Sequence, residues 1–303
     1  MTETSAELER ADDSARGTRD RGPAIVAALA LAWLAATLWS ANATIAGTPA
    51  SVALAQAALV LPGIIAASLV AGGGAGLVAV GLLGRRFPAV EGRLAVRLGV
   101  AAAAGLVVGA MCTTLIVIGY GTTSAVAVLA SAVGFAATLG GTLGGAPQSP
   151  VVGAVFAGTL AWFVVGLFQG ALYGRLLHVF GAGDTVASLS RATSWLSFTV
   201  AVVGGLVAGL VAYRYLRRRD CGWRWPAYLV AGAGPGLLIL LADVITRVGG
   251  AQLLGVAGSV SADDRAAISY LGATRLTTAE FVLFIGALTA VVAFGRTLKS
   301  PAR

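Results

Sequence analysis

Eight apolar runs follow one another along this chain, each long enough to cross a bilayer as a helix. A spanning helix needs about 20 such residues. In lipid every backbone N–H and C=O must be satisfied within the segment, so each run is helical. Only 11% of the 303 residues are charged, and the mean hydropathy is +0.87. A soluble domain is nearer a quarter charged, which excludes that class. A membrane β-barrel would need short alternating segments, and the sequence has none. The expected fold is all-α: a polytopic integral membrane bundle of eight transmembrane helices.

The runs are Pro23–Ile45, a stretch within Ala50–Leu83, Leu94–Ile118, Thr122–Leu143, Val151–Leu172, Trp195–Tyr215, Tyr228–Arg247 and Leu276–Phe294. Residues 23–296 form the bundle. Residues 1–22 hold six acids and four arginines, and read as a disordered cytoplasmic tail. Residues 297–303 are a second cytoplasmic tail. Ala41-Asn42-Ala43 has the pattern of a signal-peptidase site, yet the first run and its two tryptophans exceed a usual signal core, so an uncleaved span is expected. The second run is too long for one perpendicular helix at about 1.5 Å per residue. Pro62-Gly63 and Gly72-Gly73-Gly74 are places for it to kink. A tilted helix with an interfacial first turn is expected there rather than a re-entrant one.

Basic residues set the orientation. With the N-terminus inside, the outer set is Arg175, Arg191, Arg247, Arg265 and Arg275, and the other 16 of the 21 Lys and Arg fall inside. That split supports eight spans with both termini in the cytoplasm. It also accounts for the net charge of +8 without nucleic acid as a partner. Lys299 is the single lysine; this arginine bias suits high-GC coding and hence the plasma membrane of a bacterium. Cys112 and Cys221 lie at different depths, which rules out a disulfide between them. Two outer segments exceed a simple turn: 173–194, and 248–275, where Ser261 followed by Asp263 and Asp264 reads as the cap of a short surface helix.

A weak internal repeat is visible. Leu31-Ala32-Trp33 in the first span matches Leu160-Ala161-Trp162 in the fifth, and the second and sixth spans both run through glycines into an arginine-rich end. Duplication of four spans gives a parallel repeat, as in some transporter halves. Glycine pairs at small-xxx-small spacing, Gly105–Gly109, Gly166–Gly170–Gly174, Gly205–Gly209 and Gly232–Gly236, allow close helix packing.

The seventh span carries the polar centre around which the chain is read. Asp243 and Arg247 are i and i+4 with the acid first, the better orientation for a pair. An acid within a span marks a candidate site; a self-satisfied pair whose arginine reaches the interface is the structural reading. Gly234-Pro235-Gly236 in the same span is a candidate helix break. Broken helices in transporters expose carbonyls to ions, while many such kinks serve packing alone. Gln169, Arg175, His178 and Glu280 fall on the outer side with Asp243 and complete the candidate intramembrane site.

No Walker A, HExxH or GxSxG pattern is present, and His178 is the single histidine. No catalytic residue, metal site or cofactor is expected. Three classes remain: a transporter or permease, a non-catalytic partner or scaffold subunit of an envelope complex, and an outward-facing enzyme acting on envelope lipids. The bilayer is the certain partner. The arginine-rich loop Arg214–Arg224, with Trp223 and Trp225, suits anionic lipid headgroups; a second copy or a partner protein is the other candidate.

The topology is open to a direct check. With Cys112 and Cys221 replaced, Arg219→Cys is expected to stay shielded from an impermeant thiol reagent applied outside, and Ala262→Cys to react. Labelling of both from one side would contradict eight spans with the N-terminus inside.

Overall fold

The structure, a computed structural model, describes residues 3–45, 50–87, 92–120, 124–183, 185–219, 224–249 and 262–297. Among these are eight helices: α1 Glu3–Ile45, α2 Ala50–Arg86, α3 Leu94–Tyr120, α4 Ser124–Gly144, α5 Ser149–Val179, α6 Val186–Arg217, α7 Trp225–Gly249 and α8 Ala262–Gly295. Each contains a segment long and apolar enough to cross a membrane. Large apolar side chains such as Leu106, Met111, Ile118, Phe168, Phe284 and Leu288 are exposed. Water would not tolerate so wide an apolar surface, and lipid does. The chain is a multi-pass membrane protein of the helix-bundle class.

The helix ends meet as alternating spans require. At the basic end the Arg97 guanidinium donates to the Ala146 carbonyl at 2.8 Å, and Gly22 lies against Arg219. At the other end Arg275 of α8 reaches Leu59 of α2. These contacts place the N-terminal end of α2 beside that of α8.

The central helix is α2. Its span is 78% buried, against 28% for that of α1 and 22% for that of α8, and it touches α1, α3, α4, α5, α7 and α8. The seventh span is therefore not the organising element; it packs second to α2. Glycine sets this order. Apolar side chains gain nothing by leaving lipid for one another, so helices associate where their backbones come close. Gly72, Gly73 and Gly74 of α2 lie against the Ala137 carbonyl, the Phe156 ring and Ala27. They do not break α2, which is one continuous helix through Pro62 as well. At about 1.5 Å per residue its 37 residues exceed the bilayer core, in keeping with a tilted span.

The helices form two groups with the same neighbour relations. In the first, α2 packs on α1, α3 and α4, and α3 packs on α4. In the second, α6 packs on α5, α7 and α8, and α7 packs on α8. One glycine-to-glycine meeting point corresponds in the two groups, although the tightest approaches of all, Gly72 on the Ala137 carbonyl and Gly140 on the Leu69 carbonyl, belong to the first group alone. A Cβ on Gly76 of α2 would lie 2.5 Å from the Gly141 carbonyl oxygen of α4, and one on Gly105 of α3 would lie 2.9 Å from the Gly141 Cα. A Cβ on Gly209 of α6 would lie 2.5 Å from the Gly286 carbonyl oxygen of α8, and one on Gly232 of α7 would press on the same carbonyl. Each group thus centres on three glycines from its second, third and fourth helices. The groups differ at α5, which touches α7, whereas α1 makes no comparable contact with α3.

Several local expectations differ from what is found. The segment 3–22 is helical as part of α1. Among the described residues no separate surface helix precedes the last span: α8 is one continuous helix from Ala262 to Gly295. The segment 173–194 is mostly helix, with α5 ending at Val179 and Thr185 capping α6 by accepting from the Ser188 N–H at 3.2 Å. Gly166, Gly170 and Gly174 face open space, not a helix. Asp184, Cys221, Trp223 and Ser261 lie outside the described residues, as do the side chains of Gln56, Asp263 and Asp264.

Gly141→Val and Gly286→Val are each expected to lower stability in detergent unfolding assays by about 1–3 kcal/mol, the usual cost of overpacking. Gly81→Val, whose Cβ would meet nothing within 4 Å, should leave the midpoint unchanged.

Candidate functional site

Asp243 sits on the buried face of α7 at 8% exposure. Its Oδ2 accepts from Arg247 Nε at 2.6 Å, one turn further along the same helix. Arg247 is itself half-exposed. Within electrostatic reach of the carboxylate stands a second cation, Arg275 of α8. The Arg275 guanidinium also donates to the Leu59 carbonyl of α2 at 2.8 Å. Leu59 belongs to the turn before Pro62, whose ring lacks an N–H and crowds the preceding carbonyls. Arg275 thus ties α8 to a main-chain acceptor of α2 one turn before that proline.

The result is a polar cluster on three helices. The carboxylate is paired with Arg247 and within electrostatic reach of Arg275, whose guanidinium bridges to the opposite helix group. Arg275 was missing from the sequence reading, which counted it only among the outer arginines. Its signal was weak: an arginine at a span end is expected from snorkelling alone, and its acceptor is a carbonyl that every residue carries.

The other candidate residues are not gathered here. Gln169 is half-buried on α5, and Arg175 and His178 are exposed near the end of that helix. Glu280 is exposed on α8, on the stripe that carries Leu276, Phe284, Leu288 and Val292. Among the described residues none of these four bonds to Asp243. The carboxylate faces arginines instead of a cavity shared with Gln169 or Glu280.

Gly234-Pro235-Gly236 is not a break. The helix is continuous from Trp225 to Gly249, and all three residues are buried packing contacts. Gly234 lies against Val155 of α5, Pro235 against Gly158 of α5, and Gly236 against Leu283 of α8. Small residues here let α7 seat between α5 and α8. The one hydrogen bond that Pro235 forfeits is the cost of this fit.

The remaining buried polar side chains described hold no ligand-binding geometry. Ser68, Thr159 and Thr246 each donate to the carbonyl four residues back, at 2.7–2.8 Å. Such bonds satisfy the hydroxyl within its own helix.

A large cavity lies elsewhere. A groove of about 1150 Å³ runs between α1 and α5, with Val211, Tyr215 and Arg218 of the α6 end at one mouth. Trp33 stacks on Phe163 across it, with centroids 5.3 Å apart and planes at 5°. Both copies of the Leu-Ala-Trp match contribute to its lining: Ala32 and Trp33 from α1, and Leu160, Ala161 and Trp162 from α5. Neither a protein-family model, nor a curated protein, nor a solved structure matches this chain.

The three-helix cluster makes a distinct prediction. Asp243→Asn leaves two cations without a carboxylate. The loss should stay below the ~2.5–3.5 kcal/mol of an unpaired charge at the bilayer centre, because the site is near the outer end. Adding Arg275→Gln should restore more stability than adding Arg247→Gln, since Arg247 already reaches out of the bundle. Equal restoration by the two, measured by thermal unfolding in lipid, would show that Arg275 does not share the carboxylate.

Proposed function

We propose that this chain is a transporter- or permease-like protein of a bacterial plasma membrane, in which two four-helix units move against each other. The repeated packing of α1–α4 and α5–α8 carries this reading. Transporters with parallel repeats work by rocking one half against the other, and the glycine centre at Gly141 and its counterpart at Gly286 make each unit rigid within itself. The contact between units includes one polar bridge at the outer end, Arg275 to the Leu59 carbonyl. A single hydrogen bond to a charged group contributes about 1.5–3 kcal/mol, a size that a conformational equilibrium can overcome.

A non-catalytic partner or scaffold is the second reading. It draws support from the described interior, where Ser68, Thr159 and Thr246 bond within their own helices and leave no polar path. An enzyme acting on envelope lipids needs two carboxylates across a cleft. That reading draws no support from Asp243, which faces arginines.

Spin labels at Gly63→Cys on α2 and Ala273→Cys on α8 span the outer boundary of the two units. In vesicles a rocking protein should give two distance populations, and Arg275→Gln should shift weight to the longer one. A single narrow distance that Arg275→Gln leaves unmoved would favour the scaffold.

A further inference from the structure

The groove between α1 and α5 joins a second cavity at its basic mouth. That cavity, of about 570 Å³, is lined by Tyr213, Arg214, Arg217 and Arg218 of the α6 end. Arg218 lines both. A long apolar groove and a basic pocket therefore meet at one arginine, Arg218. We infer that the pair forms a binding site for an anionic phospholipid of the cytoplasmic leaflet, with an acyl chain along α1 and α5 and the phosphate at Arg214 and Arg218.

The dimensions suit a chain and not a compact solute. Along α1 the groove runs from Gly22 to Ser40, about 27 Å at the helical rise, which exceeds the half of the roughly 30 Å hydrocarbon core that one leaflet supplies and so takes an extended acyl chain entering at the basic mouth. Its volume exceeds the roughly 300–1,000 Å³ of ordinary small-molecule pockets. Ile25, Leu29, Val164 and Leu167 line it and are exposed, so it opens sideways to lipid. Thr37 is turned back on the Leu34 carbonyl at 2.8 Å. Gly166 and Gly170 keep the wall low: a Cβ on either would meet nothing within 4 Å. Glycines that bring no helix close leave room for something else.

Charge complementarity selects the headgroup. Arg217 is engaged with the Tyr213 hydroxyl, and Arg219 donates to the Tyr215 hydroxyl at 3.2 Å. These tyrosine contacts fix the neighbouring guanidiniums and order the helix end. Arg214 and Arg218 are exposed beside them, and no acid among the described residues pairs with either. Arginine forks bind phosphate oxygens in a bidentate manner. Basic pockets at the cytoplasmic ends of spans hold anionic headgroups for this reason. The inference stands whether or not the two units move.

The test uses the full chain reconstituted in vesicles of equal phosphatidylglycerol and phosphatidylcholine, then released for native mass spectrometry. The wild-type chain should retain phosphatidylglycerol over phosphatidylcholine. Arg214→Gln and Arg218→Gln should each weaken that retention about fivefold. Gly166→Phe, which fills the groove without touching the backbone of a neighbour, should abolish it. Arg85→Gln with Arg86→Gln, at another basic end, should leave it intact. An equal loss from the Arg85 and Arg86 pair would reduce the effect to a general basic surface and overturn the site. Unchanged retention in Gly166→Phe would overturn the groove. A dimer without lipid that Gly166→Phe dissociates would give the groove to a second copy, which also overturns it.

Discussion

Close approach of backbones is the constraint on which this structure depends. In lipid an apolar side chain has no reason to prefer another helix over an acyl chain. The helices hold where glycine removes the side chain and lets main chains touch. Gly141 takes contacts from both Gly76 and Gly105, and Gly286 takes them from both Gly209 and Gly232. Everything else follows from where this happens and where it does not. α2 is central because its glycines open three sides of it. α1 and α5 meet at the Trp33–Phe163 stack but not at Gly166 and Gly170, which find no partner, and the groove is the room left along them.

Much of the architecture was readable from composition and charge. Eight apolar runs require eight helices once the solvent is lipid, and unequal arginine counts order their ends. The Asp243–Arg247 pair follows from spacing alone, since i and i+4 share a helix face. What could not be read was which helix lies inside. A span that is apolar on all sides has no stripe to show which face is buried, so the centrality of α2 left no trace in periodicity. Glycine spacing was equally silent. Gly105–Gly109 meets α4 closely, while Gly166–Gly170, with identical spacing, meets nothing. The polar site was half legible for a related reason. Arg275 is remote from Asp243 in sequence, and its second partner is a peptide carbonyl that no residue type announces.

The Gly234-Pro235-Gly236 triplet shows how one motif supports opposite readings. In a water-lined cavity it would free a carbonyl for an ion. Here α5 and α8 close on all three residues, and the helix runs through them. Surroundings decide between these outcomes, and they are set by Val155, Gly158 and Leu283, far away in the chain.

The bridge from Arg275 to Leu59 has an asymmetry of its own. Its donor is a side chain and its acceptor is main chain. Any residue at position 59 still offers a carbonyl, so drift there cannot erase the link. The side-chain contribution to this tie is concentrated in one codon, that of Arg275. Second-site revertants of a change at Arg275 would therefore have to arise at other positions, because position 59 has no side-chain contribution to adjust.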